Sequence, residues 1–224
     1  MDYIISLQDL PALRLYECRE GGIILLKGYA AMDDELLKTE KKRLRRELLA
    51  KRRELPEEYL RSAGEDIEER LLALPAYASA RSIFVYVSVP GEPPTGRIIG
   101  WALLEGREVY VPKCIGGDMF AVRIKSAEEL KPGIMGIPEP GEITETKTAG
   151  ELDLIIVPCV AASEDGRRLG HGGGYYDRFL SHGRDKAVCL CFREMLCPDI
   201  PAGPCDVRIP LIITEQLKSA DRFT

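Results

Sequence analysis

The residues best suited to chemistry lie in one stretch, positions 166–178, which reads GRRLGHGGGYYDR. Its glycines let the backbone approach a ligand closely, and backbone N–H groups ahead of a helix bind phosphate oxygens. The apolar segment at 152–158, LDLIIVP, comes just before it and predicts a strand. Ligands of open α/β sheets bind at the carboxyl ends of strands. The pattern therefore predicts a phosphate-binding loop in an α/β enzyme.

This stretch differs from two common phosphate-binding motifs. The Walker pattern GxxxxGK[ST] is absent from the sequence, and the glycine spacing and late position do not fit the Rossmann fingerprint. The alternative interpretation is a glycine-rich surface turn. That alternative does not explain why an arginine, three consecutive glycines, two tyrosines and an aspartate occur together, so we favour the phosphate-binding loop.

Two other places carry side chains that could bind a substrate. Lys41 and Arg45 are four residues apart in a cation-rich helical segment, so they share one helix face and could clamp a phosphate. The alternative for such a run is an ordinary solvated face. Glu92 follows a predicted strand and could face a substrate, although the Pro and Gly around it also fit a simple turn.

The composition is that of a globular protein with an acidic balance. The chain has 224 residues, 45% hydrophobic and 30% charged, with a net charge of −5. The net charge argues against a nucleic-acid partner, and RNA binding through the basic helix is a weaker alternative because aromatic stacking platforms are lacking. No apolar run approaches the ~20 residues of a membrane span, and the start lacks the features of a signal peptide. We expect a cytoplasmic protein without a membrane partner.

The cysteines are seven, an odd number, and their spacing shows no disulfide framework, which favours a reducing compartment. Four of them, Cys189, Cys191, Cys197 and Cys205, could be read as a zinc cluster, but they lack the paired spacing of structural zinc sites. Cys189 and Cys191 alternate within an apolar segment. We therefore predict that they are small buried hydrophobic residues of a strand.

The predicted fold class is α/β, with a mainly parallel sheet flanked by helices and an N-terminal helical hairpin. Helical periodicity covers about 33–55 and 56–74, and another helix is expected at 95–105 with Thr95 as N-cap. Strands are expected at 83–87, 109–112, 119–124, 154–157, 188–192 and 211–214, with a loop at 131–141 and a helix from about Tyr175. The alternation of strands and helices indicates the parallel sheet. Because the sequence shows no internal repeat and no low-complexity linker, residues 32–224 are expected to form one domain.

The motifs together resemble the 5-formyltetrahydrofolate cyclo-ligase family, also named 5,10-methenyltetrahydrofolate synthetase. The resemblance covers about residues 38–215. It rests on RRLGHGGGYYDR after LDLIIVP and on pieces that occur in the family's order: Lys41-x-x-x-Arg45, Glu92-x-x-Thr95, VYVPK at 109–113, MFAVRI at 119–124, GIPEP at 136–140 and IITE at 212–215.

The resemblance implies an enzyme that uses ATP and Mg²⁺ to convert 5-formyltetrahydrofolate into 5,10-methenyltetrahydrofolate, with release of ADP and phosphate. It implies that Arg168 and Tyr175 act in catalysis and that Asp177 ligates Mg²⁺. By the same pattern the nucleotide would be bound by Lys41, Arg45, Arg168, Leu169, Gly170, His171, Gly172, Gly173, Gly174, Tyr175 and Tyr176. The reduced folate would be bound by Val87, Glu92, His171, Gly172, Gly173, Gly174 and Tyr175.

The chain departs from the family pattern at several positions. Where the family usually has Gly after the strand's Pro and a Phe-Asp pair, this chain has Cys159, Ala162 and Ser163. Of two aspartates four apart near the C-terminus, the second associated with the metal, it keeps Asp206 but has Pro210. Glu164 or Asp165 could replace the missing acids, or magnesium binding could be weaker. A second hypothesis is therefore a catalytically altered paralogue that serves as a nucleotide-binding or regulatory protein.

Residues 1–31 match the family pattern poorly. The Lys-x-x-x-Arg helix normally lies close to the start in this family, and Met32 stands just ahead of it. We expect residues 1–31 to be either an upstream stretch from a misassigned start or a loosely attached extension. The sequence gives no indication of the oligomeric state.

Overall fold

The computed structural model describes residues 16–17, 23–24, 34–133 and 136–216. Most of the predicted extension 1–31 lies outside the described residues, apart from the backbones of two paired strands, β1 (Tyr16–Glu17) and β2 (Ile23–Ile24). None of the described helices is both long and apolar enough to cross a membrane.

The helices begin and end close to the predicted positions. The α-helices are α1 (Asp34–Arg53), α2 (Glu57–Leu72), α3 (Pro75–Ser79), α4 (Gly96–Leu104) and α5 (Tyr175–Phe179). Single 3-10 turns lie at Ala127–Glu129, Ala149–Glu151, Leu180–His182, Arg184–Lys186 and Arg193–Met195. Acids in the first turn and cations in the last turn of α1 suit the helix dipole.

The N-terminal helical hairpin is not confirmed, although both helices are present. The leucines Leu44, Leu48 and Leu49 of α1 pack against a small core that includes Leu169 and Ile200. This packing places α1 over the segment that carries the predicted phosphate-binding loop.

The strands form a seven-stranded central sheet and small two-stranded sheets. The remaining strands are β3 (Ser82–Val85), β4 (Glu108–Ile115), β5 (Asp118–Ile124), β6 (Leu130–Pro132), β7 (Pro138–Pro140), β8 (Thr146–Lys147), β9 (Leu154–Val157), β10 (Ala161–Ala162), β11 (Arg168–Leu169), β12 (Ala187–Leu190) and β13 (Leu211–Ile213). The central sheet has the order β13-β12-β9-β3-β4-β5-β8. Neighbouring strands from β13 to β4 pair in parallel, and β5 pairs antiparallel with β4 and β8, which confirms the mainly parallel sheet.

The core lies on both faces of the parallel strands. Every residue of β3, β9 and β12 is buried, which is the pattern of a parallel sheet covered on both faces. Cys189 is buried in β12, as predicted, and Cys191 is buried as predicted but lies directly after the end of that strand. The sequence predicts only a loop at 131–141, but this region contributes to the antiparallel pair β6–β7.

Thr95 precedes α4 as predicted, but its side chain does not cap the helix. Its hydroxyl donates to the carbonyl of Tyr86 at 2.7 Å and accepts from the N–H of Ser88 at 3.1 Å. The Ser88 hydroxyl in turn accepts from the N–H of Thr95 at 3.1 Å. These bonds close the loop 88–95 on itself, and that loop carries Glu92.

Candidate active site

The predicted site residues gather at the carboxyl ends of two adjacent parallel strands, β3 and β9. Glu92 lies in the loop that follows β3, and the glycine loop (defined here as residues 170–174) follows β9 through β10 and β11. Strands β10 and β11 form an antiparallel pair that orients Arg168 just ahead of the loop. The topology thus brings together segments that are far apart in sequence.

Arg168 and Asp177 form an ion pair across the glycine loop. Nη2 of Arg168 lies 2.9 Å from Oδ1 of Asp177, and the arginine side chain is only 3% exposed. The guanidinium also lies over the ring of Tyr176, with Cζ 5.4 Å from the ring centroid. Oδ1 of Asp177 accepts a second bond from the N–H of Val207 at 3.2 Å. Nε of Arg168 has no hydrogen-bond partner among the described residues.

The loop uses two glycines at positive φ. Gly172 has φ 104°, and a β-carbon placed there would lie 3.3 Å from Cζ of Arg45. Gly174 has φ 66° and stands immediately before α5. Other residues adopt these backbone angles only at a cost. The loop therefore requires glycine both for its turn and for the close approach of Arg45.

The two predicted cations of α1 reach this region. Nε of Arg45 donates to the carbonyl of Gly170 at 2.7 Å, and burial lowers the pKa of Arg45. Nζ of Lys41 lies 2.5 Å from Oδ2 of Asp206. Oδ2 of Asp206 also accepts from the N–H of Gly203 at 2.5 Å. The helix is thus bound to the glycine loop by one cation and to the 203–206 turn by the other.

Glu92 is buried beside the loop and is held from several sides. Its Oε2 accepts from the N–H of Val89 at 3.2 Å, and its Oε1 lies 3.2 Å from Nε2 of His171. Oε1 also lies 3.9 Å from Nη1 of Arg52, and both side chains of this ion pair are buried. The contact between Glu92 and His171 joins the loop after β3 to the glycine loop.

Sequence reasoning missed Arg52. It stands eleven residues after Lys41 in α1, which is close to three full helical turns, so the two residues share a face. This spacing from Lys41 is the sequence signal for Arg52. Six other cations lie between 38 and 53 besides Lys41, Arg45 and Arg52, and they obscure that signal. Only the long-range contact with Glu92 distinguishes Arg52 from them.

The remaining predicted residues have different surroundings. The Tyr175 ring is covered by the Arg178 guanidinium, with Cζ 5.2 Å from the ring centroid. Burial raises the pKa of Tyr176, whose ring packs edge-on against Phe84. Val87 is half-buried against the core, and the side chain of Leu169 is buried in the small core beneath α1. A ligand could therefore reach the Leu169 backbone more readily than its side chain.

The residues at the departures from the family pattern have structural partners. Ser163 is buried, and its hydroxyl donates to Oδ1 of Asp165 at 2.5 Å and accepts from the N–H of Arg167 at 3.1 Å. These hydrogen bonds and the Arg167 guanidinium hold the pKa of Asp165 well below its ordinary value. Pro210 is exposed just before β13. Asp165 is therefore bound within its own loop, and its Oδ2 also lies 3.1 Å from Nη1 of Arg208.

The acids and thiols around the site do not form a multidentate metal cage. Among the described residues, no group of three or more His, Cys, Asp or Glu side chains is placed to hold a metal. A nucleotide-bound Mg²⁺ needs fewer protein ligands, since it takes one or two carboxylates and completes its coordination shell with phosphate oxygens and water. Both hydrogen bonds that Asp177 accepts from the described residues use Oδ1. Its Oδ2 can therefore ligate the metal, so Asp177 fits that requirement.

Comparison with known proteins gives one consistent result. The sequence profile described as the 5-formyltetrahydrofolate cyclo-ligase family matches residues 37–215. The chain is 32% identical over 194 residues to a probable 5-formyltetrahydrofolate cyclo-ligase of Caenorhabditis elegans, covering 80% of this chain and 93% of the relative. It is 31% identical to the 5-formyltetrahydrofolate cyclo-ligase of Mus musculus, and the match covers 78% of this chain and 93% of the relative.

A solved structure is also similar. The NMR structure of Aquifex aeolicus 5,10-methenyltetrahydrofolate synthetase superposes with a TM-score of 0.70 and 30% sequence identity, covering 80% of this chain and 93% of that chain. The residues matched by the family profile include the whole central sheet and the segments that carry the candidate site.

Proposed function

Since the chain belongs to the 5-formyltetrahydrofolate cyclo-ligase family, we propose that it converts 5-formyltetrahydrofolate to 5,10-methenyltetrahydrofolate at the expense of ATP. One observation carries this proposal. The glycine loop is contacted by Arg45 at Gly170 and by Glu92 at His171. A phosphate cradle and a buried carboxylate that could hold a reduced folate are therefore neighbours across the same loop.

The chemistry begins with activation of a poor electrophile. The oxygen of the formyl group on N5 attacks the γ-phosphorus of ATP. This attack forms a new O–P bond and breaks the bond between the γ-phosphorus and ADP. N10 then attacks the former formyl carbon of the resulting iminium phosphate, forms the N10–C bond that closes the five-membered ring, and loses its proton. The C–O bond then breaks, and phosphate leaves with the former formyl oxygen. Such phosphoryl transfer asks the protein mainly for positioning and charge neutralisation.

The cations around the glycine loop suit the nucleotide. Lys41, Arg45 and Arg168 bind the phosphates together with the backbone N–H groups of residues 170–174. The Nε donor of Arg168 supports this role, because it is buried without a partner among the described residues, and a buried donor is costly when it is left unsatisfied. A phosphate oxygen would satisfy it.

The folate is placed on the other side of the loop. Glu92 accepts hydrogen bonds from the pterin, Val87 offers an apolar contact, and Tyr175 lines the shared pocket with the loop backbone. The ion pair between Arg168 and Asp177 supports a further division of roles, in which Arg168 stabilises the transferring phosphoryl group and Asp177 holds Mg²⁺ when it is bound. The metal supplies charge neutralisation at the phosphates.

We also place the enzyme in the cytoplasm. Five cysteines of the described residues form no disulfide, which suits a reducing compartment; they are Cys114, Cys159, Cys189, Cys191 and Cys197.

The test is the ATP-dependent appearance of the absorbance of 5,10-methenyltetrahydrofolate when the purified protein is mixed with 5-formyltetrahydrofolate and Mg²⁺. We expect turnover by the wild-type protein and none when ATP is omitted. A wild-type rate no better than that of Arg168→Ala would defeat the proposal.

A further inference from the structure

We infer that Arg52 is a positioning residue for the folate, because it holds the Glu92 carboxylate in place from within the core. This inference rests on the proposed function, in which Glu92 faces the folate. The family resemblance gives Arg52 no role. Its function follows from its burial, its partners and its place on α1.

Arg52 and Glu92 are buried together. Their side chains are 8% and 5% exposed, and Nη1 of Arg52 lies 3.9 Å from Oε1 of Glu92. A buried charge without a partner is costly, so each side chain makes the burial of the other tolerable. The distance is longer than that of a hydrogen bond. Arg52 therefore acts on Glu92 through its charge.

The guanidinium of Arg52 is fixed by its surroundings. Its Nη1 donates to the carbonyl of Cys159 at 3.4 Å. Gly91 has φ 85°, and a β-carbon placed there would lie 3.5 Å from Nε of Arg52. The loop that carries Glu92 thus passes directly over the Arg52 side chain, so a change at position 52 acts first on that loop.

The carboxylate of Glu92 keeps capacity for a ligand. Oε2 accepts one bond from Val89 and Oε1 one from His171, whereas an ionised carboxylate offers about four acceptor positions. A folate donor can therefore join the existing partners. The positive charge of Arg52, 3.9 Å from Oε1, attracts the carboxylate and holds it in position for that donor.

The position of Arg52 on α1 links the two halves of the site. Lys41 and Arg45 lie toward the start of the same helix face, and Arg52 lies about 16 Å further along the axis than Lys41. One rigid element therefore presents cations to the nucleotide at one end and to the folate carboxylate at the other. Arg52 should affect folate binding without affecting ATP binding.

The test measures steady-state kinetics with both substrates for Arg52→Met, Arg52→Lys and the control Arg53→Met, since Arg53 is the exposed neighbour. Arg52→Met is expected to raise KM for 5-formyltetrahydrofolate by about tenfold and to leave KM for ATP within about twofold. Arg52→Lys keeps the charge and should recover most of the loss. Arg53→Met should match the wild type.

Three results would overturn the inference: an unchanged folate KM in Arg52→Met, an equal rise in both KM values, or no recovery in Arg52→Lys. If Arg52→Met does not fold, the double variant Arg52→Met/Glu92→Gln removes both buried charges and is compared with Glu92→Gln. Equal folate KM values in these two proteins support the inference, and a further rise in the double variant contradicts it. An inactive wild type would instead defeat the proposed function itself.

Discussion

Arg168 and Asp177 are nine residues apart on either side of the glycine loop, and their side chains close that loop with a bond of 2.9 Å between Nη2 and Oδ1. The pair therefore fixes the loop and places a cation and a carboxylate side by side where phosphate and metal would meet. Both charges are needed for the proposed chemistry, and each keeps the other oriented.

Removal of either charge should reduce turnover. We expect Arg168→Ala and Asp177→Asn each to lower kcat/KM by about 100-fold or more, the range seen when one preorganised electrostatic group is removed from an active site. The measurement is the rate of methenyl formation at saturating Mg²⁺. Arg81→Ala is the control, because Arg81 is exposed at the amino end of β3. Activity within about twofold of wild type in Asp177→Asn would contradict its role.

Lys41 should act on the nucleotide. Its ammonium is half-buried and bound to Asp206 at 2.5 Å, whereas the adjacent Lys42 is exposed. We expect Lys41→Ala to raise KM for ATP by about tenfold, the loss of one charge-assisted contact, with less effect on KM for the folate. Lys42→Ala should leave both values unchanged. An equal rise in KM for ATP in Lys41→Ala and Lys42→Ala would contradict a direct contact, because it would show that Lys41 contributes only to the overall positive charge of α1.

Gly172 should not tolerate a side chain. Its φ of 104°, together with the 3.3 Å that would separate an added β-carbon from Cζ of Arg45, predicts strain in Gly172→Ala, with a loss of about 1–3 kcal/mol in the free energy of unfolding. Chemical denaturation measures it. In the control Gly100→Ala, an added β-carbon would meet no atom within 4 Å, and we expect the free energy of unfolding to rise by about 1 kcal/mol because alanine favours the helix. A neutral Gly172→Ala would contradict the loop geometry described above.

Much of this arrangement follows from the sequence, and the exceptions have physical causes. The strand 152–158, the glycine loop and α1 are visible because their signals are local, namely apolar runs, glycine clusters and helical periodicity. Arg52 is one cation among many until the fold places Glu92 beside it. The sequence predicts Thr95 as a cap, yet its hydroxyl bonds to Tyr86. Side-chain partners that come from distant segments are set by tertiary packing, which a local pattern does not encode.

The buried Glu68 of α2 should make stability depend on pH. Burial raises its pKa, with Arg97 opposing that shift, so the folded state binds this proton more tightly than the unfolded chain does. At neutral pH the ionised Glu68 therefore lowers the free energy of unfolding. This loss diminishes as pH falls through the folded pKa of Glu68, because the carboxylate is then protonated. We expect Glu68→Gln to raise the unfolding temperature at pH 7 and to lose that advantage in acid.

The control for this effect is Glu69→Gln, because Glu69 is exposed on the same helix. Thermal unfolding followed by circular dichroism at several pH values compares the two variants. A Glu68→Gln protein that is less stable than wild type at pH 7 would mean that the ion pair with Arg97, 3.3 Å away, outweighs the cost of burial.

The most direct test of the central claim follows the formyl oxygen. The proposed chemistry transfers that oxygen to phosphate, so 5-formyltetrahydrofolate labelled with ¹⁸O in the formyl group should yield inorganic phosphate that carries one ¹⁸O atom. Mass spectrometry of the phosphate released in unlabelled water measures the label. Labelled phosphate formed in step with the methenyl product is the predicted result. Methenyl product accompanied by unlabelled phosphate would contradict phosphoryl transfer to the folate at the glycine loop.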